Sequence, residues 1–414
     1  MAPSFELPVR PLERSGVPAP LLGDRALFPR LGYSAFLGHA AISPLSVAAS
    51  EAVQACISDA ARGGAAAYPV WDAQRQRLRQ SLAELLGAGP GEIALTPGTT
   101  RGVTDIALGL PWRTGDVLVT FEGEFPANVT PWQCAAAAFG ATVRFLPAPE
   151  PTAPDADARI LENLERELVR GVRFVAVSAV QFQTGFRMPL LEIGRLCRAH
   201  GARFLVDGIQ ACGVVPLNVR ELGIDALAAG AHKWLLGLEG SGFLYVRPEF
   251  GAELRPLTAG WVSHEEAESF LFQGAGRLRY DRPFKASAAV FEGSSQNAVG
   301  FAALEAGVDV CRALGPRAIF EHVQRYHDVM EEVWVARGFR SLRAPGPEGR
   351  SCLLCFEVPA HVSLSPLVMG LRARGIMVST PDGNVRVAPH FSNDAAEILE
   401  VALALDACLA DSGA

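Results

Sequence analysis

Lysine is nearly missing from this chain. Of its 37 lysine and arginine side chains only two, Lys233 and Lys285, are lysines. Arginine stays protonated and cannot serve as a nucleophilic amine, so any chemistry that needs one is confined to these two positions. Positive charge is short overall as well. The formal net charge is −7 and no basic stripe is present, which excludes a nucleic-acid partner. No apolar run reaches the length of a membrane span. The opening residues, MAPSFELPVRPLERSG, lack the charged start and apolar stretch of a secretory leader. Cysteines are few and scattered, and of the eight only Cys352 and Cys355 sit close together, inside the apolar run SCLLCFEV. That pair reads as buried strand side chains rather than a metal or redox site, and a reducing cytoplasm is the expected compartment.

What the chain does have is an alternation of strand and helix patterns. At 414 residues it exceeds a single core, so two or more domains are expected. Residues 1–30 are rich in Pro and Arg and read as an irregular arm. Residues 31–285 read as a large domain, with helices near Val47–Arg62 and Trp71–Leu86 and strands near Val117–Thr120, Thr142–Leu146, Phe174–Ser178 and Phe204–Asp207. Helical patterns at Ala127–Ala138, Ala158–Arg170 and Pro189–His200 separate those strands, which predicts an α/β fold with a mainly parallel sheet and right-handed crossovers. Residues 286–414 read as a smaller C-terminal α/β domain, with helices at Val299–Leu314 and Ala318–Ala336 and short strands near Cys352–Val358, Ile376–Ser379 and Asn384–Val387.

In such a sheet ligands bind outside the carboxyl ends of the strands. Thr99, Phe125, Gln181, Asp207 and Lys233 all follow strands in this reading and converge on one crevice. The stretch Arg203–Val246 carries the most chemistry: Asp207 ends one apolar strand, and His232 and Lys233 end another. An amine for an imine and a carboxylate that keeps a pyridine nitrogen protonated are what pyridoxal phosphate requires. The bland reading of the same residues is a strand-end acid and a solvated lysine. In EIALTPGTTRGVTDIALGL the apolar positions Val103, Ile106, Ala107 and Leu110 recur at helical spacing, which places Thr99 and Thr100 at a helix N-terminus. They serve there either as plain caps or as part of a phosphate site.

Together these residues resemble the class V aminotransferase family, which includes cysteine desulfurases, selenocysteine lyases, kynureninases and isopenicillin N epimerase-like proteins. The resemblance runs from about Phe36 to Asn393 and is carried by Asp207, Gln210, His232 and Lys233, the D-x-x-Q…H-K constellation. It implies the pyridoxal phosphate fold type I, a homodimer and an active site at the subunit boundary. By the same resemblance Lys233 is the imine lysine, Asp207 the partner of the ring nitrogen and Gln210 a neighbour of the phenolic oxygen. His232 flanks the lysine, Thr99 and Thr100 hold phosphate, and Gln181 lies beside the ring substituents. Ser295, in EGSSQN, reaches the neighbouring subunit's phosphate, and Arg386, in NVRVAPHFSN, pairs with a substrate carboxylate, a task that suits a planar guanidinium.

Three departures bear on function. Phe125 stands where desulfurases place a histidine over the ring, and an aromatic there stacks but moves no proton. Gly230 replaces a serine that often touches the phosphate. The segment GIMVSTPDGNVR before Arg386 has no cysteine, whereas a persulfide-forming desulfurase needs a thiolate there. The implied activity is therefore that of an amino-acid enzyme working through an external imine and Cα deprotonation. An aminotransferase or carbon–sulfur lyase of secondary metabolism is favoured, with an epimerase as the alternative. A nucleotide-binding Rossmann protein would need a G-x-G-x-x-G after the first strand, and none is there. A non-catalytic scaffold would be expected to have lost Lys233 or Asp207, and both are present.

Overall fold

The computed structural model describes residues 9–411. The part of the expected N-terminal arm before residue 9 lies outside the described residues. From residue 9 to the first strand the chain is loop and turn apart from one short 3₁₀ turn, Pro11–Glu13.

After the short strand β1 (Ala35–Phe36) come helices α1 (Val47–Gly63) and α2 (Tyr68–Leu86). Strand β2 (Ile93–Thr96) leads into α3 (Thr99–Gly109) and β3 (Val117–Phe121). Then α4 (Thr130–Phe139), β4 (Thr142–Leu146), α5 (Ala156–Val169), β5 (Phe174–Ser178), α6 (Leu190–Ala199) and β6 (Arg203–Asp207) alternate. Strands β7 (Ala226–Gly230) and β8 (Gly242–Val246) complete a seven-stranded sheet of order β2-β8-β7-β6-β5-β3-β4.

The apolar runs of these strands follow from their position between two layers of helix. Val175, Val177, Phe204 and Val206 face one core, with Ile160 and Leu164 of α5 and Ile193 of α6. Their sequence neighbours Phe174, Ala176 and Leu205 face the other, with Val103 and Ile106 of α3 and Trp132 of α4. With both faces buried, strict polar alternation is lost and the strands read as continuous hydrophobic runs.

One strand departs from the parallel pattern. β8 is antiparallel to both β7 and β2. Only residues 231–241 connect β7 to β8 and they contain no helix, so the chain turns back instead of crossing over. That turn carries His232 and Lys233 and lies at the same sheet edge as the ends of β3, β5 and β6.

Beyond the two short helices α7 (Pro248–Gly251) and α8 (Ser269–Phe272), the long α9 (Ala298–Leu314) and α10 (Pro316–Val335) follow. A three-stranded antiparallel sheet then forms from β9 (Arg340–Ser341), β10 (Leu354–Glu357) and, after α11 (Leu364–Ala373) and β11 (Ile376–Met377), β12 (Val385–Val387). The chain closes with α12 (Ala396–Asp411). Two elements fall on the other side of the boundary expected at residue 285. β1, from the N-terminal half, pairs in parallel with β11, and α9 packs Phe301, Leu304 and Val308 into the core of the large sheet. Both exchanges depend on contacts between residues hundreds of positions apart, which periodicity does not report. No helix among the described residues is long and apolar enough to cross a membrane.

Candidate active site

A cavity of about 900 Å³ opens at the carboxyl edge of the large sheet. Of the expected site residues, Thr99, Thr100, Phe125, Asp207, Gln210, His232, Lys233 and Arg386 all line it. Gln181 and Ser295 do not. Gln181 is buried behind the wall, its amide turned to Glu124, and Ser295 is exposed on a separate, smaller cleft near Arg101 and Asn297.

Lys233 is held by its own backbone. Ser43 donates to the Lys233 carbonyl at 2.6 Å, the Ser43 backbone N–H donates to the His232 carbonyl at 2.8 Å, and the Leu236 N–H closes a turn onto Lys233 at 3.0 Å. Leu236 adopts a left-handed conformation, φ 55°, and is buried, so the packed core over-determines a backbone shape that costs a leucine energy. The next residue, Trp234, is locked on both sides. Its indole donates to Gln210 Oε1 at 2.9 Å, and its carbonyl meets His390 Nε2 at 3.0 Å. Gln210 in turn donates to the Ala40 carbonyl at 3.1 Å, so this side chain ties three segments together.

The electrostatics follow from burial. Removal from water pushes the Lys233 ammonium well below the usual lysine range; the Asp207 carboxylate opposes that shift and the Arg386 guanidinium adds to it. Asp207 is raised, first by burial. The Ile209 N–H, donating to Oδ1 at 2.9 Å, works against the rise, Glu124 works with it, and Lys233 opposes it. His232 is lowered by burial and by Lys233. Phe125 remains 44% exposed, with its ring centroid 5.7 Å from the Lys233 Nζ and 5.2 Å from the Phe182 ring, edge to face.

Arg386 reaches the cavity from the small sheet. Its Nη1 donates to the Phe182 carbonyl at 2.8 Å and its Nε to Ser379 Oγ at 3.0 Å, which fixes the guanidinium plane. At the opposite end Thr99 begins α3, and its hydroxyl is buried without a hydrogen-bond partner. Gly242 passes so close to its neighbours that a Cβ there would lie 2.4 Å from the Ala229 carbonyl oxygen and 2.9 Å from Gly98 Cα. Only glycine permits that approach.

Sequence reasoning missed Glu124, Ile42 and Phe182. The latter two line the cavity from loops and carry no pattern that separates them from ordinary apolar residues. Glu124 had one visible signal: an acid just beyond a strand end, beside the residue already chosen.

The model of the family described as Aminotransferase class-V matches residues 52–403. An uncharacterized aminotransferase of Bacillus subtilis (strain 168), YcbU, is 26% identical over 375 residues, covering 90% of this chain and 94% of that protein. The isopenicillin N epimerase of Streptomyces clavuligerus is 28% identical over 337 residues, 80% of this chain and 83% of the epimerase. Among solved structures, the complex of the cystine C–S lyase C-DES with its product cysteine persulfide superposes with a TM-score of 0.82 at 26% identity, covering 91% of this chain and 98% of that one. A C-DES variant with glycine covalently linked to the pyridoxal phosphate cofactor gives a TM-score of 0.83, also at 26% identity, over 92% of this chain and 98% of that one.

The residues present suit that cofactor. The unpartnered Thr99 hydroxyl and the free N–H groups of the first turn of α3 offer an anion site. A half-buried amine of lowered proton affinity and a buried carboxylate share the same cavity. The chain belongs to the class V aminotransferase family, and pyridoxal phosphate is its cofactor.

Proposed function

We propose that this protein acts on an amino acid by removing its Cα proton, with an aminotransferase or carbon–sulfur lyase outcome. The observation that carries this is Lys233: the one lysine on the cavity, desolvated and lowered, beside a phenylalanine that cannot relay a proton. When bound, the cofactor supplies an electron sink for the pair released at Cα. Lys233 would hold the cofactor through its amine and would take the proton from Cα. Asp207 would pair with the ring nitrogen, and Thr99 and Thr100 would hold the phosphate at the α3 N-terminus. His232 flanks the lysine, while Gln210 and, from behind the wall, Gln181 brace the ring surroundings. Arg386 receives the substrate carboxylate with a guanidinium held in place by two of its donors, on Ser379 and the Phe182 carbonyl.

A persulfide-forming desulfurase is disfavoured on two grounds. No cysteine lines the cavity among the described residues. Cys352 and Cys355 are fully buried, and burial pushes both thiols up, to about 12 for Cys355, so neither is a ready thiolate. The similarity to an isopenicillin N epimerase keeps epimerisation as the second reading.

We also infer a homodimer in which Ser295 serves the neighbouring subunit's phosphate. Ser295 is exposed and lies off its own cavity, and the nearby segment exposes Trp261, Leu271, Phe272 and Tyr280.

The test is an absorbance spectrum of the purified protein with pyridoxal phosphate, followed by a panel of amino acids including cystine and cysteine. A keto acid with a transferred amino group identifies a transaminase, pyruvate with released sulfur a lyase, and inverted Cα stereochemistry an epimerase. A spectrum unchanged by every amino acid would overturn the proposal.

A further inference from the structure

Glu124 is a buried carboxyl group that the function proposed above leaves without a task. It follows β3 and lies against the end of β5. Its Oε1 accepts from the Ser178 backbone N–H at 2.8 Å and from Gln181 Nε2 at 3.0 Å. Its Oε2 accepts from Asn128 Nδ2 at 2.9 Å and from the Ser178 hydroxyl. Four donors point at the lone pairs of the carboxylate, and all of them favour its ionised form. All four are neutral, so they stabilise negative charge here without cancelling it. Burial pushes the group up and each of the four donors works against the rise.

The charge also has a direction. Ser178, which supplies two of the donors, stands opposite Asp207 in the β5–β6 register. Glu124 is therefore one strand away from Asp207 and adds to the field that raises it. The other charged groups facing this end of the cavity are Lys233, from the β7–β8 turn, and Arg386, from β12, which acts on Lys233.

We propose that Glu124 is a positioning residue that serves as a second, fixed carboxylate of the cofactor site, acting through Asp207 to keep the ring-nitrogen end of the cavity negative. The same hydrogen-bond set turns the Gln181 amide inward and holds the β3 and β5 ends together. The inference rests on Asp207 facing the ring nitrogen.

The test uses holoenzyme and reads the visible absorbance of the bound cofactor against pH, with the melting temperature recorded alongside. Removing a negative charge lowers the proton affinity of its neighbours. Glu124→Gln should therefore move the absorbance midpoint to lower pH, by ~0.5–1 unit. Ser178→Ala withdraws one donor, favours the protonated acid and should shift the midpoint the same way by less. In an Asp207→Asn background the effect of Glu124→Gln should vanish. An unchanged midpoint with only a lower melting temperature would reduce Glu124 to a structural role and overturn the proposal. An equal shift with and without Asp207 would overturn the route through that residue. Should Glu124→Gln fail to fold, the Ser178→Ala midpoint decides alone. A wild-type protein that stays colourless with pyridoxal phosphate would instead overturn the placement of Lys233 and Asp207 themselves.

Discussion

Lys233 and Lys285 make a natural pair of controls, because a chain with two lysines lets the proposed catalytic amine be compared with one outside the main cavity without background. Lys285 lies on a different cleft, with Tyr68 and Trp71, and has no acid–base partner in the main cavity. Lys233→Ala is expected to lower turnover by ~10³-fold or more, since in the proposed function the same amine binds the cofactor and moves the proton. Lys285→Ala should leave turnover near wild type. Steady-state kinetics and the visible spectrum check both. Arg386→Lys keeps the charge but loses the planar fork held by Ser379 and the Phe182 carbonyl. The KM for a carboxylate substrate should rise roughly tenfold or more, with a smaller change in kcat. At this scale scarcity made the lysine legible in the sequence, and strand-end position did the same for Asp207. The facing of the Gln181 amide was not legible, because it is set by Glu124, a residue of a different strand end.

At the scale of elements, one tight point is where β8 enters the sheet between β7 and β2. Gly242→Ala would press a methyl group against the backbones of Ala229 and Gly98. We expect a loss of roughly 2–4 kcal/mol of stability and weaker cofactor binding, measured by denaturant unfolding and by titration with pyridoxal phosphate. A second junction joins α10 to α12. Glu397 Oε1 accepts from the Tyr326 hydroxyl at 2.9 Å and also from the Asn393 amide, and burial pushes the carboxyl up to about 7 from an ordinary value near 4.5. Above the unfolded value the unfolded chain has released this proton while the folded one retains it. Stability from this group is thus fully present below about pH 4.5 and is lost as pH rises through about 7, by roughly 3 kcal/mol at most. Glu397→Gln should flatten that part of the stability profile, followed as melting temperature against pH. The helices and parallel strands around these junctions were legible to within a few residues, because apolar periodicity reports local burial. The reversal of β8 was not, since strand direction depends on its partners.

For the whole molecule, the proposed homodimer makes each active site depend on a second copy through Ser295. If Ser295 completes the neighbour's phosphate site, Ser295→Ala should weaken pyridoxal phosphate binding about tenfold while the dimer persists, checked by equilibrium dialysis and sedimentation. A monomer in sedimentation, or unchanged cofactor affinity, would remove Ser295 from the site. The composition, the alternation of strand and helix and the D-x-x-Q…H-K spacing by themselves determined the α/β class and the cofactor, and singled out Lys233 and Asp207 as its candidate partners. These are properties of single segments, written in local periodicity and residue identity. Only the tertiary structure decided that β1 crosses to pair with β11, that α9 joins the large core and that β8 runs backwards. It alone placed Glu124 one strand away from Asp207 and turned the Gln181 amide toward Glu124. Each of those outcomes is a choice among long-range partners, and the energy that decides it resides in contacts between segments rather than in any one of them.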